Sequence, residues 1–240
     1  MTFLFCNLKL SLRKMSLKTL SEHFCAEWPS GQKQKHDKFY GAYVSHSLSP
    51  HGALHLYKTV YFTQISFSLP STSLQSHEIK ALTSKIIASL LRKMKLPSTF
   101  PRALVFSSHS RLALDVPDLE FAQGYTKVEK TIAHMRMKTT IGILIQIVLE
   151  WFQITAGVQT PILEDSSPLG YVYCPWVQAL REFLRLTGTT LVIPDIWRPR
   201  PQREKDRCVM DCFRGRPYLI LTSVNAVRIR LKILYVSDIT

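Results

Sequence analysis

Acidic groups are scarce in this chain: 17 Asp and Glu stand against 31 Lys and Arg, for a formal charge of +14. No two of its eight aspartates are adjacent. Two-metal phosphoryl transfer requires paired carboxylates, so that chemistry is not expected here. Glycine is sparse as well, with 9 residues. Neither GxGxxG nor a GxxxxGK run followed by Ser or Thr occurs, which leaves no phosphate cradle of the nucleotide-enzyme kind. Cysteine is limited to Cys6, Cys25, Cys174, Cys208 and Cys212, an odd set without a CxxC. That pattern supports neither a disulfide framework nor a zinc site, and free thiols point to an intracellular, reducing compartment, cytoplasmic or nuclear. Long apolar runs are missing. Ile141 to Leu149 contains Gln146 and stops at Glu150, well short of the ~20 residues a span needs, so no membrane partner is expected. Met1 to Leu12 is apolar but has no basic region before it and no small-residue cleavage site, so a secretory leader is not expected either.

What is present is charge, unevenly spread. Residues 1–100 carry 13 basic and 4 acidic groups, residues 101–200 carry 10 and 9, and residues 201–240 carry 8 and 4. A balanced centre with basic flanks is the footprint of a chain that meets phosphate. The plain alternative is a basic protein whose charge serves solubility. Two clusters are candidate contacts to RNA or DNA. Arg92, Lys93 and Lys95 close an amphipathic pattern, where cations also complement a helix dipole. Trp197, Arg198, Arg200 and Arg203 set a flat aromatic beside three guanidinium groups, suited to stacking on bases and holding phosphates. The alternative there is a Trp197 packed on a core with its arginines solvated. Arg228, Arg230 and Lys232 alternate at two-residue spacing, which lines one face of a strand but spreads across a helix.

Other constellations are weaker. His51 and His55 have helical spacing, but Gly52 stands where a zinc protease carries its glutamate. Cys208 and Cys212 make at most half of a metal site. Glu164-Asp165 sits in a proline-rich loop with no third carboxylate in register. No catalytic residue, metal, cofactor or small-molecule ligand is expected.

Apolar spacing predicts a mainly α, multi-helix, bundle-like domain with little β. Ser49-Pro50 opens a helix to about Leu69. Leu74–Met94 follows, with caps offered by Ser71-Thr72-Ser73. Leu119–Met137 and Ile141–Thr155 come next, and the second, apolar almost all round, reads as the central helix. Pro175 opens a helix through Leu186, stopped by Gly188. Thr189–Ile193 is the one expected strand. Glu204–Phe213 and Ser223–Val236 complete the helices. Upstream, Leu17, Leu20 and Phe24 suggest an amphipathic helix broken at Pro29-Ser30-Gly31. Gln32–Lys38 reads as a solvated linker or a phosphate-facing patch. The expected organisation is a loosely attached basic segment, 1–48, before a helical domain, 49–240.

Five segments also carry a resemblance. They are Phe100–Phe106 (FPRALVF), Pro117–Arg136, Gln159–Arg185, Gln202–Asp206 with Met210-Asp211, and Asn225 with Arg228–Asp238; Tyr57–Thr72 extends the pattern upstream. Their order and spacing resemble the region that follows the polymerase core in a family of non-LTR-like retrotransposon reverse transcriptases of microbial eukaryotes. The likeness covers roughly Leu54 to Thr240. It implies a truncated transposable-element copy without the catalytic palm, from a thumb-and-after region that holds the template–primer duplex by its backbone. One departure stands out. Where the family has a glycine-rich turn, this chain has Ser107-Ser108-His109-Ser110-Arg111, and a turn needing positive φ is strained without glycine.

Overall fold

A computed structural model of the chain describes residues 28–108, 113–194, 196, 197, 199 and 203–239. The protein is mainly helical, and among the described residues the sole β feature is an isolated antiparallel bridge between Cys208 and Tyr235. Contacts divide the chain into two compact units, Met1–Gln123 and Gly124–Thr240. The division therefore falls far from residue 48, where the segment boundary was expected. Each unit has its own apolar core.

The first unit opens with α1, Trp28–Ser45. Gln32–Lys38, read as a linker, lies inside this helix. The linker reading weighed charge alone, whereas a helix needs one apolar stripe to dock. His36, Phe39, Tyr40 and Tyr43 supply it; His36 and Tyr43 are buried, while Lys33, Lys35 and Lys38 stay exposed. Pro29 falls in the first turn, where a missing N–H costs nothing. Pro29-Ser30-Gly31, where a break was expected, is helical, and the upstream helix it was to end lies outside the described residues.

Ser49 caps α2, Pro50–Leu56, its Oγ accepting the Gly52 N–H at 3.1 Å. The single helix expected to reach Leu69 is instead α2, a π-helical turn at Tyr57–Tyr61, and α3, Phe62–Ser66. Tyr57 and Tyr61, four apart, both lie on the core side of the π turn. Then comes α4, Ser76–Lys93, capped by Gln75 rather than by the Ser71–Ser73 run: the Gln75 N–H donates to Glu78 Oε2 at 2.7 Å, one half of a capping box. Ile79, Ile86, Ile87, Leu90 and Leu91 form its buried stripe. After the short α5, Arg102–Phe106, the chain returns through backbone bonds from Leu114 and Val116 to Leu104 and Val105. Residues 109–112, which include most of the glycine-free turn, lie outside the described residues, as does the helix expected around Leu17–Phe24.

The unit division falls within α6, Leu119–Arg136, which is followed by α7, Thr140–Ala156. The turn between them is tightly built. Thr139 Oγ1 accepts the Gly142 N–H at 3.0 Å and bonds His134 Nδ1 at 3.0 Å. A Cβ on Gly142 would stand 2.3 Å from the His134 carbonyl oxygen. Helix α7, expected at the centre, gives Leu149, Phe152 and Ala156 to the core of the second unit, yet Ile141, Ile143, Leu144 and Ile154 remain exposed. An all-round apolar sequence had concealed which face is packed.

Helix α8, Pro175–Thr187, starts at its proline and ends at Gly188 in the left-handed region, φ 63°. The strand expected at Thr189–Ile193 is irregular: Thr189 donates back to Leu184 of α8 at 2.9 Å, and Leu191 to Leu163 at 3.2 Å. Extended propensity without a neighbouring strand to pair with makes no sheet. Of the helix expected over Glu204–Phe213, the structure forms α9, Val209–Cys212, alone. The last helix, α10, spans Tyr218–Leu231, starting five residues before the expected Ser223 because Pro217 sets its entry.

Arg228 of α10 locks the second unit. Its Nη2 donates to the carbonyls of Ile154 at 3.0 Å and Thr155 at 2.6 Å, and its Nη1 to Ile233 at 3.2 Å. Tyr171 Oη donates to the Ala156 carbonyl at 2.9 Å, and the Gly157 N–H to Gln153 at 3.0 Å. All four carbonyls that a helix leaves bare at its C-terminus are thereby satisfied in α7. Gly157, at φ 62°, is doubly required, since a Cβ there would meet Arg228 Cζ at 2.5 Å.

Three helices end on lysine rather than glycine. Lys95, Lys138 and Lys232 follow α4, α6 and α10 with φ of 60°, 50° and 59°. Behind them, Leu96, Thr139 and Ile233 donate to Leu91, His134 and Arg228, the six-to-one bond of a Schellman ending.

Candidate nucleic-acid interface

Along residues 28–108 of the first unit, ten Lys and Arg stand against Asp37 and Glu78 alone. Glu78 is engaged in the capping box of α4. Eight of the ten cations are exposed, Lys58 and Lys93 being half-buried. Lys58 is paired with Asp115 at 3.0 Å.

The outward face of α4 is the clearest surface in this unit. Opposite its buried stripe, His77, Ala81, Ser84, Lys85 and Arg92 are exposed, exposed Lys95 follows just past the helix, and the one acid on this side is the half-buried Glu78. Lys85 and Arg92, seven apart, share one side of the helix. Ala81 and Ser84 are short, so a polyanion backbone can approach between the cations. Helix α1 packs beside α4: Lys93 Nζ donates to the His46 carbonyl at 2.8 Å and lies 5.4 Å from the centre of the Tyr43 ring.

That contact gives Lys93 a structural task. It closes a carbonyl just past the C-terminus of α1, as cations do at helix ends. Of the first sequence cluster, Arg92 and Lys95 face solvent and Lys93 faces α1. In the second cluster, Trp197 is half-buried and its backbone N–H donates to Glu150 Oε1 at 3.2 Å, while Arg203 is exposed. Arg198 and Arg200 lie outside the described residues. The first cluster belongs to the first unit and the second to the second unit. From sequence, Lys33, Lys35 and Lys38 read as part of a linker or phosphate-facing patch, and Lys85 was not singled out as a contact. The signal that could have found them is the rarity of acids between Trp28 and Leu114.

Other cations serve the fold. Arg228 is buried by its carbonyl partners, and burial lowers its pKa, so it does not join Arg230 and Lys232 as a surface group. Arg181 donates to the carbonyls of Ile162 and Ser167. Arg185 pairs with Glu182 at 2.6 Å, and Arg214 with Asp165 at 3.2 Å and Asp211 at 2.8 Å. Asp165 also accepts from the Ser167 N–H and Oγ at 2.8 and 2.7 Å, which pins the loop before α8.

Among the described residues no group of three or more His, Cys, Asp or Glu is gathered as a metal would require. The rings of His51 and His55 stack 6.4 Å apart. Burial pushes the Cys208 thiol up to about 12, far from a reactive thiolate. No single helix among the described residues is long and apolar enough to cross a membrane. Comparisons of the chain with family models, curated proteins and solved structures find no match.

Proposed function

We propose that the chain is a non-catalytic piece similar to the thumb-and-after region of a retroelement reverse transcriptase, and that its first unit holds RNA or DNA by the phosphate backbone. The observation that carries the binding part is the near absence of acids against ten cations over residues 28–108. A helix face with exposed Lys85 and Arg92, Lys95 just past its end, and a single carboxylate, Glu78, engaged in the capping box, attracts a polyanion and reads no bases. The retroelement part rests on the five sequence segments alone. No catalytic step is assigned, and the compartment in this reading is intracellular.

The test is a salt titration of binding to unrelated duplex and single-stranded oligonucleotides. Each phosphate contact removed should lower the slope of log affinity against log salt by about one and weaken all sequences alike. The variant is Lys85→Ala/Arg92→Ala/Lys95→Ala, which leaves Lys93 to hold α1. An unchanged slope would show these cations to be ordinary solvated surface. Trp197→Ala addresses the other cluster and should weaken single strands more than duplex, by ~1–3 kcal/mol of stacking.

A second reading, a protein-interaction module, is favoured by a different observation. Ile143 and Leu144 on α7 and Leu219 and Val227 on α10 are each more than half exposed, an apolar surface that associating proteins cover. In that case the charge serves solubility, and the salt slopes of the triple variant and the wild type coincide.

A further inference from the structure

His36 is the one imidazole of the α1 stripe, and it is 2% exposed. Its Nδ1 shares a hydrogen bond of 2.9 Å with Tyr61 Oη on the π turn. Its ring stacks on Tyr40 at 6.0 Å and meets Tyr61 edge-on at 5.7 Å. The other nitrogen, Nε2, is buried with no hydrogen-bond partner. A neutral imidazole tolerates this if Nε2 is the bare acceptor and Nδ1–H donates to Tyr61. The imidazolium does not, because both nitrogens then carry a proton and one N–H is buried without an acceptor.

The surroundings oppose the charge further. From its own helix, Asp37 favours the cation, but it is exposed and solvent-screened. From α4, Lys85 opposes it. From the π turn comes the Tyr61 hydroxyl. Burial raises the pKa values of Tyr43, Tyr57 and Tyr61, which keeps all three neutral through the acid range. His36 is thus the group of this cluster whose protonation burial opposes most directly, and the neutral ring is the form the core fits.

We propose that His36 is an acid-sensitive latch: protonation of its buried, half-partnered ring releases α1 from the first unit. Beside His36, Phe39 and Tyr43 pack on the core, Phe39 against the Tyr61 ring at 5.1 Å, and two further polar ties hold α1. Tyr43 Oη donates to the Ala53 carbonyl at 3.2 Å, and Lys93 holds the His46 carbonyl. Neither replaces the stripe that His36 interrupts. The latch is independent of whether the outer face binds nucleic acid.

The experiment is hydrogen exchange of the full chain at about pH 7.5 and about pH 5.5, corrected for intrinsic rates, which brackets the ordinary histidine range. Protection of the α1 amides should fall about tenfold per unit of pH lost below that range, while α4 amides keep theirs. The His36→Phe/Tyr61→Phe pair, which removes both polar ends together, should hold α1 equally at both pH values. Unchanged α1 protection in the wild type, or the same loss in the double variant, overturns the latch. Should the variant misfold, the wild-type His36 ring signal decides by NMR. Titration in step with α1 resonance changes supports the latch, and titration with α1 undisturbed overturns it.

Discussion

Single residues here do work that their chemical type does not announce. The lysines at positive φ are the clearest case. An L residue in the left-handed region costs about 1–2 kcal/mol that glycine avoids. The ammonium near a helix C-terminus recovers part of that through the dipole. Lys138→Gly should therefore raise stability by about 1 kcal/mol, seen as a higher urea midpoint at unchanged slope. A lower midpoint would mean that the lysine stem covers apolar surface. Arg228 shows the opposite dependence. Arg228→Met leaves the Ile154, Thr155 and Ile233 carbonyls bare in a buried setting, and stability should drop by about 3 kcal/mol. Arg228→Lys should recover little, because an ammonium lacks the planar fork that reaches three carbonyls. A Lys variant near wild-type stability would show that charge rather than fork geometry matters. None of this was legible in the sequence. Arg228 looks like its neighbour Arg230, and the carbonyls it serves stand 73 and 74 residues earlier.

At the scale of elements, signals that act within one turn were readable. Ser49-Pro50, Pro175 and Gly188 mark helix ends because a cap needs no distant partner. Thr189–Ile193 has strand composition, yet strands require a neighbour that local sequence cannot supply. Charge misled at Gln32–Lys38, where a solvated face was taken for a solvated segment. Trypsin can check this. Cleavage after Lys33, Lys35 and Lys38 should lag behind cleavage after the exposed turn residue Lys205 at neutral pH, since helical backbone must open first. Early cutting in α1 would place it outside the compact unit. The turn joining α6 to α7 is a second check. Gly142→Ala sets a Cβ against backbone and not against a flexible side chain, so a loss of about 2 kcal/mol is expected in a thermal or urea melt. A neutral outcome would mean that the two helices can separate slightly without cost.

At the scale of the molecule, helix content followed from periodicity, but the division into two units did not. Both cores draw on similar residues, and nothing in the stretch around Gln123 and Gly124 resembles a linker. The candidate surface was legible in part: Arg92 and Lys95 face solvent, whereas Lys93 does not, and Lys85 completes the face only once the buried side of α4 is known. Charge reversal offers a sharper test than truncation to alanine. Lys85→Glu/Arg92→Glu should weaken duplex binding beyond the alanine variant and extend the loss to every sequence tested. A loss confined to particular sequences would point to base contacts instead.

The arginine that closes α7 also sets an order of events during synthesis. A ribosome adding about 5–20 residues per second needs roughly 4–15 seconds to travel from Thr155 to Arg228. Throughout that interval the nascent helix has an unfinished end beside its apolar flank, the kind of surface that holding chaperones recognise. A slow codon or a stall in the intervening stretch prolongs that exposure without altering a single amino acid, so the yield of folded protein should depend on how fast these seventy-odd residues are translated.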